Sequence, residues 1–232
     1  MLNLFENMAI IDLTHPIDEN IPTWEGDSGF KIHIDMDYDK GARVIRYEMR
    51  AGIGTHIDAP AHFFQGAATA SDIIPEKLFV KACVIDVREK VAGNSEYMIG
   101  QEDIVQWEAK NGTIEKGTLC FFYTGWSNYW SDFKKYRNED VRGVMHFPSI
   151  DQTAAELLIE RDVVGIGIDT LSPDLPGGTF AVHKKVLGAG KYMLENVANL
   201  DKMPSLGAYV IVAPLKIKNG AESAVRLFGL VP

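Results

Sequence analysis

Residues 149–170, SIDQTAAELLIERDVVGIGIDT, constrain the fold of this 232-residue chain more than any other stretch. Ala155, Leu158 and Ile159 recur at helical spacing and form one apolar face. Ser149 or Asp151 stands where the first turn needs a side-chain oxygen to receive its free N–H groups. The pattern then changes at once to VVGIGIDT, which reads as a strand. A helix feeding directly into a strand is the step from which α/β folds are built.

The rest of the chain supplies strands for such a sheet. AIIDLT, FVKACVID and the doubly apolar TLCFFYT read as strands, the last as one covered on both faces. FKIHIDMD alternates, with Phe30, Ile32, Ile34 and Met36 on one face, which predicts a half-buried strand. RVIRYEMRAGI alternates likewise and puts Ile45, Tyr47 and Met49 together. EDIVQWEAKNG places Ile104, Val105 and Trp107 on a helical stripe, with Gly112 able to close the helix. AYVIVAPLKIK and SAVRLFGLV predict two strands at the end. Without internal repeats or a linker composition, the expectation is one mixed α/β domain over residues 1–232.

Composition narrows the partners. The formal net charge is −9, and no basic stripe is present, which argues against nucleic acid. No apolar run reaches the length of a membrane span. The segment MLNLFENMAIIDL lacks a basic n-region and carries Glu6, unlike a signal peptide. Cys83 and Cys120 both lie in apolar runs and read as buried thiols, so a reducing, cytoplasmic setting is expected.

The chemistry concentrates in GIGTHIDAPAHF, residues 52–63. If the preceding strand continues, Gly52, Gly54, His56 and Asp58 share a face, and His56 and Asp58 stand roughly 6–7 Å apart at Cα. Both side chains can then lean onto one cation. Pro60 ends regular pairing and bends the chain, which delivers His62 to the same place. Imidazole plus carboxylate suits zinc, manganese or iron(II) better than calcium or magnesium. Among the other histidines, His15 and His33 read as structural or solvated, and His146 as a loop residue able to line a pocket. Asp169 could orient a ligand histidine or cap the turn after its strand. Trp126, Tyr129 and Trp130 could wall a pocket or belong to the core.

GTHIDAPAHF resembles the signature of the cyclase-like metal-dependent hydrolases, a family that includes bacterial kynurenine formamidases and isatin hydrolases. The opening IDLTHPIDENIPTWEGD is similar to the family's start, and YTGWSNYW, GIGIDTLSPD, FAVHKKVLGAGKYMLENVANL and APLKIKNGAESAVRLFG follow in the family's order. The resemblance implies the swivelling β/β/α type of mixed sheet. It assigns metal binding to His56, Asp58, His183 and Glu195, proton transfer to His62 and substrate contact to Trp24. The family's formamidase motif runs H-x-G-T/A-H-x-D-x-P-x-H, and its first histidine falls on Gly52. With that ligand missing, the expectation is one divalent ion per chain, zinc or else manganese, and a pocket wider on the Gly52 side.

The function implied is hydrolysis of an amide, lactam or ester of a small aromatic substrate, with an arylformamidase of tryptophan catabolism as the specific form. The competing reading is a non-catalytic small-molecule binder whose site is weakened by Gly52. A homodimer or higher homo-oligomer is expected by analogy.

Overall fold

A computed structural model describes residues 7–232. The signal-peptide reading falls partly on residues 1–6, which lie outside the described residues. The chain runs β1 (Ala9–Asp12), β2 (Phe30–Met36), β3 (Val44–Met49), β4 (His56–Asp58), β5 (Phe79–Asp86), α1 (Arg88–Val91), β6 (Met98–Ile99) and α2 (Gln101–Asn111). It continues through β7 (Leu119–Tyr123), α3 (Phe133–Arg137), β8 (Ser149–Ile150), α4 (Gln152–Glu160), β9 (Gly165–Ile168), α5 (Ala181–Gly188), β10 (Tyr192–Glu195), β11 (Ala208–Pro214) and β12 (Glu222–Val231).

Eight strands form one mixed sheet in the order β1-β12-β11-β5-β7-β9-β10-β4. The strands β5, β7, β9 and β10 are parallel, and the others join antiparallel. β4 pairs with both β10 and the start of β12, so the sheet closes on itself. Alternation along each strand then separates two cores. Val80, Ala82, Val84, Leu119, Phe121, Tyr123 and Leu194 point inside the closed sheet. Cys83, Ile85, Cys120, Phe122, Ile166 and Met193 point outward, beneath α2, α4 and α5. TLCFFYT is buried on both faces for this reason. Gly167 on β9 leaves room for a neighbour: a Cβ there would lie 2.5 Å from the Phe121 ring.

The predicted helices form with small differences. Asp151, not Ser149, caps α4, accepting from Thr153 N at 2.6 Å, and Ser149 lies in β8. Ala155 and Leu158 are buried and Ile159 half-buried. In α2, Ile104 and Trp107 face the core, but Val105 is 52% exposed and faces solvent.

One expectation is corrected. The β2–β3 hairpin stands as its own two-stranded sheet, and Ile32, Ile34 and Tyr47 are 45%, 50% and 58% exposed. Only Phe30, at its base, is buried, beside Ile21 and Ile53. The period-two pattern specified the strand, but no described element of this chain covers its apolar face.

Candidate active site

The site forms on the outer face of the sheet where β4 lies between β10 and β12. Antiparallel register puts Glu195 opposite His56, and Glu222 opposite Asp58. Directly opposed residues, and residues two apart on one strand, share a face. His56, Asp58, Glu195 and Glu222 therefore project together, while Ile57 between them points into the inner core. The strand begins only at His56, which corrects the expectation that Gly52 and Gly54 share it. Gly54 adopts φ +60°, a conformation that favours glycine, and turns the chain into β4. Its carbonyl accepts from His56 Nδ1 at 2.9 Å and from Asn196 Nδ2 at 3.0 Å. That contact leaves His56 Nε2 facing the pocket.

His183 descends onto the same face from α5. Asp174 fixes it by accepting from the backbone N of Val182 and of His183, each at 3.0 Å, and from His183 Nδ1 at 2.7 Å. One carboxylate thus serves the first turn of the helix and orients the imidazole, again with Nε2 inward. Sequence reasoning missed Asp174 and weighed Asp169 for this task. Asp169 instead accepts from Thr124 N, Thr124 Oγ1 and Ser127 N and holds the turn after β7. The Asp in the loop just before α5, in LSPD, was the available signal.

Distances show how tightly the four groups converge. His56 Nε2 lies 3.5 Å from Asp58 Oδ1 and 3.3 Å from Glu195 Oε2. His183 Nε2 lies 3.5 Å from Asp58 Oδ2 and 3.4 Å from Glu195 Oε1. Each carboxylate offers one oxygen to each imidazole. All four residues are buried, yet Asp58 Oδ1 and Glu195 Oε1 have no hydrogen-bond partner. Buried carboxylate oxygens left unpaired are costly, so the donor set fits a divalent cation. Two overlapping groups have ligand atoms within 4.8 Å of one another: His56, Asp58 and Glu195, and Asp58, His62 and His183.

Electrostatics point the same way. Burial opposes charge on His56, but Asp58 and Glu195 overrule it and hold its pKa up at about 10. Burial likewise opposes charge on His183, while Asp174, Asp58 and Glu195 raise it to about 11. Burial pushes Asp58 up, but the hydrogen bond from His183 and the charge of His56 bring it below the usual carboxylate range. Without another cation, protonated imidazoles are what balance this many carboxylates.

The rim is more open. Pro60 starts a short 3₁₀ turn, Pro60–His62, which sets His62 beside the cluster with its side chain 31% exposed. Its Nδ1 lies 3.4 Å from Glu222 Oε2, and its ring centroid 6.0 Å from that of His183. Trp24, Phe63 and Phe180 supply aromatic walls to a cavity of about 570 Å³ that the floor residues and His62 also line. Glu222 is the second residue that sequence reasoning missed. The expected widening beside Gly52 is also absent, because a Cβ on Gly52 would lie 2.1 Å from Glu222 Oε1. The carboxylate already occupies that space.

The remaining candidates stay outside this cavity. The His15 ring stacks on Trp130 with centroids 4.1 Å apart, and burial lowers its pKa to about 4. His33 meets Glu48 on the exposed hairpin, and His146 meets Glu96 at 2.8 Å. Trp126 is buried and donates to Tyr136 O at 2.8 Å, and Tyr129 packs against it edge-on. Cys83 and Cys120 are buried free thiols. Among the described residues, no helix is long and apolar enough to cross a membrane.

Comparison with known proteins matches this architecture. The family model described as "Putative cyclase" matches residues 11–175. An isatin hydrolase from Roseibium aggregatum is 29% identical over 97% of this chain and 88% of its own length. A kynurenine formamidase from Bacillus thuringiensis is 27% identical over 93% of this chain and 94% of its own. Among solved structures, isatin hydrolase A from Ralstonia solanacearum superposes with a TM-score of 0.90 at 31% identity, covering 97% of this chain and 93% of that one.

Proposed function

Because this chain belongs to the cyclase family and is a hydrolase of that family, we propose that it is a metal-dependent amidase for a small aromatic substrate, with His56, Asp58, His183 and Glu195 holding the metal and His62 moving the proton. The observation that carries this reading is the buried pair of imidazoles facing a buried pair of carboxylates whose Asp58 Oδ1 and Glu195 Oε1 are unpartnered. A divalent ion held there would polarise a carbonyl and make water acidic enough to give up a proton near neutral pH.

The protein's own groups do the rest. Gly54 O and Asp174 each engage an Nδ1, so both Nε2 atoms face the ligand position before anything binds. His62 stands on the rim, in reach of the floor and of solvent. It takes the proton from the attacking water and returns it to the departing nitrogen. Trp24, Phe63 and Phe180 cover an aromatic body and limit the water around it. As the scissile C–N bond breaks, the acyl carbon keeps the water oxygen and the nitrogen leaves protonated.

A cyclic amide fused to an aromatic ring, the class of isatin, is the substrate class we favour. Its support is the likeness to isatin hydrolases, which extends over 97% of the chain. N-formyl aromatic amines, the substrate class of the arylformamidase reading, come second, supported by the formamidase relatives. Zinc and manganese both accept imidazole and carboxylate donors. Homodimerisation is part of this reading, and the uncovered face of β2–β3 is a surface that pairing would bury.

The test is metal content of protein purified without chelator, measured alongside turnover of isatin, N-formylanilines and simple lactones. Bound metal with isatin hydrolysis that chelation abolishes is expected. A metal-free protein that binds aromatic compounds without turning them over would establish the non-catalytic binder instead.

A further inference from the structure

The carboxylate beside Gly52 has a consequence for the metal site that rests on the reading above. A Cβ built on Gly52 falls 3.3 Å from His56 Nε2, so a side chain at position 52 would enter the floor on the His56 side. Glu222 Oε1 lies 2.1 Å from that same point. The two positions therefore compete for one space, and in this chain residue 222 fills it.

Glu222 is placed there by the sheet. It opens β12 opposite Asp58 and projects to the same face, with its side chain 27% exposed. Its second oxygen, Oε2, lies 3.4 Å from His62 Nδ1. The group it approaches is short of a partner: Asp58 is 1% exposed and its Oδ1 has no hydrogen bond. Asp58 Oδ1 is also the oxygen that faces His56.

We infer that Glu222 is a further metal ligand on the His56 side, supplying from β12 the donor that Gly52 cannot. One oxygen joins His56, Asp58, His183 and Glu195 in holding the metal, and the other steadies His62. This replaces the expectation of a site one ligand short. With His183 the resulting set has two imidazoles and three carboxylates, a harder donor set than one with a third imidazole at position 52 in place of Glu222. It should favour manganese over zinc more than such a site would.

Metal content after dialysis and calorimetric titration with Mn²⁺ and with Zn²⁺ would be compared for wild type, Glu222→Ala, Glu222→Gln, Gly52→His and the double variant Gly52→His/Glu222→Ala. Removing a direct ligand should weaken Mn²⁺ binding about tenfold to a hundredfold or more, at least as much as loss of an outer partner does. Glu222→Gln keeps the side chain's size and should show the same loss should Glu222→Ala fold poorly. Gly52→His alone should not improve binding, because the imidazole meets the carboxylate. The double variant should regain metal and shift its preference toward Zn²⁺. Wild-type Mn²⁺ affinity in both Glu222 variants would overturn the inference while leaving the metal-dependent reading intact. A wild-type protein that binds neither ion would remove that reading and the inference together.

Discussion

The floor of the pocket and its rim differ in how they are held. On the floor, His56, Asp58, His183 and Glu195 are 1–6% exposed, fixed by sheet register and by the Asp174 carboxylate. On the rim, His62 and Glu222 have side chains 31% and 27% exposed, and His62 hangs from a single 3₁₀ turn. Burial on the floor makes every unpaired charge costly, so its groups compensate one another or a cation. Exposure on the rim lets a group exchange protons with water and meet a substrate. Changes to the floor should therefore act through metal binding, and changes to His62 and the aromatic wall through turnover or substrate affinity. Glu222, on the rim but with one oxygen turned to the His56 side, goes with the floor.

The largest effect is expected at Asp58, whose two oxygens face both imidazoles. Asp58→Asn keeps the shape but removes the charge from both sides. Metal content should fall to background, and hydrolysis with it. Retention of metal near the wild-type level would show that Asp58 is not shared in this way.

His62→Ala tests the rim. Turnover should fall about 10²- to 10⁴-fold, the range of general acid–base catalysis, with metal content unchanged. The alternative is specific, since His62 also lies within ligand reach of Asp58 and His183. Loss of metal together with activity would move His62 to the floor.

Asp174→Asn should be milder than both. Asp174 touches His183 but not the pocket centre, so metal affinity should drop about 10- to 100-fold. Saturating metal should restore most of the turnover. Turnover that stays low at full occupancy would assign Asp174 a part in the reaction itself.

How much of this division could be read from the sequence follows from how local each feature is. His56 and Asp58 are two residues apart, and Pro60 announces the bend that brings His62, so half the site lies in one legible stretch. His183 and Glu195 came only through resemblance. Their elements, α5 and β10, have eight and four residues, too short for periodicity to declare them. Glu222 was not legible at all, because its role depends on which strand pairs with β4, a long-range contact. Asp174 was legible only as the Asp of LSPD, and its role depends on how the chain between it and His183 turns α5 onto the floor. The hairpin shows the opposite case. Its alternation gave the strands correctly but said nothing about whether this chain would cover them.

The floor also has a pH signature in metal-free protein. The pKa values of His56 and His183 are raised to about 10 and about 11, from an ordinary value of 6.5. Between these limits the folded chain binds more protons than the unfolded one, so stability falls as pH rises. The contribution is full below about pH 6.5 and is lost as pH passes through 10 to 11. Bound metal needs those imidazoles neutral, so metal affinity should instead rise with pH. Urea unfolding at pH 6 and pH 9, with and without Mn²⁺, should show the metal-free protein weakening and the increment from metal growing. A metal-free protein equally stable at both values would mean that the two histidines do not hold protons for the carboxylates.

The smallest effect is expected at Trp24, on the aromatic wall of the cavity. Its ring is half-buried and meets Phe147 edge-on at 6.4 Å and Phe180 at 6.1 Å, so one side packs and the other lines the cavity. A substrate ring resting there would gain apolar burial and little else. Trp24→Ala should therefore raise KM for an aromatic lactam by roughly 5- to 30-fold, about 1–2 kcal/mol, and leave kcat and metal content almost unchanged. A purely structural role predicts another outcome: the packed side of the ring is lost, the melting temperature falls, and aromatic and aliphatic substrates suffer alike. Comparing isatin with a simple aliphatic lactone separates the two, because only a substrate contact makes the loss depend on the substrate's ring.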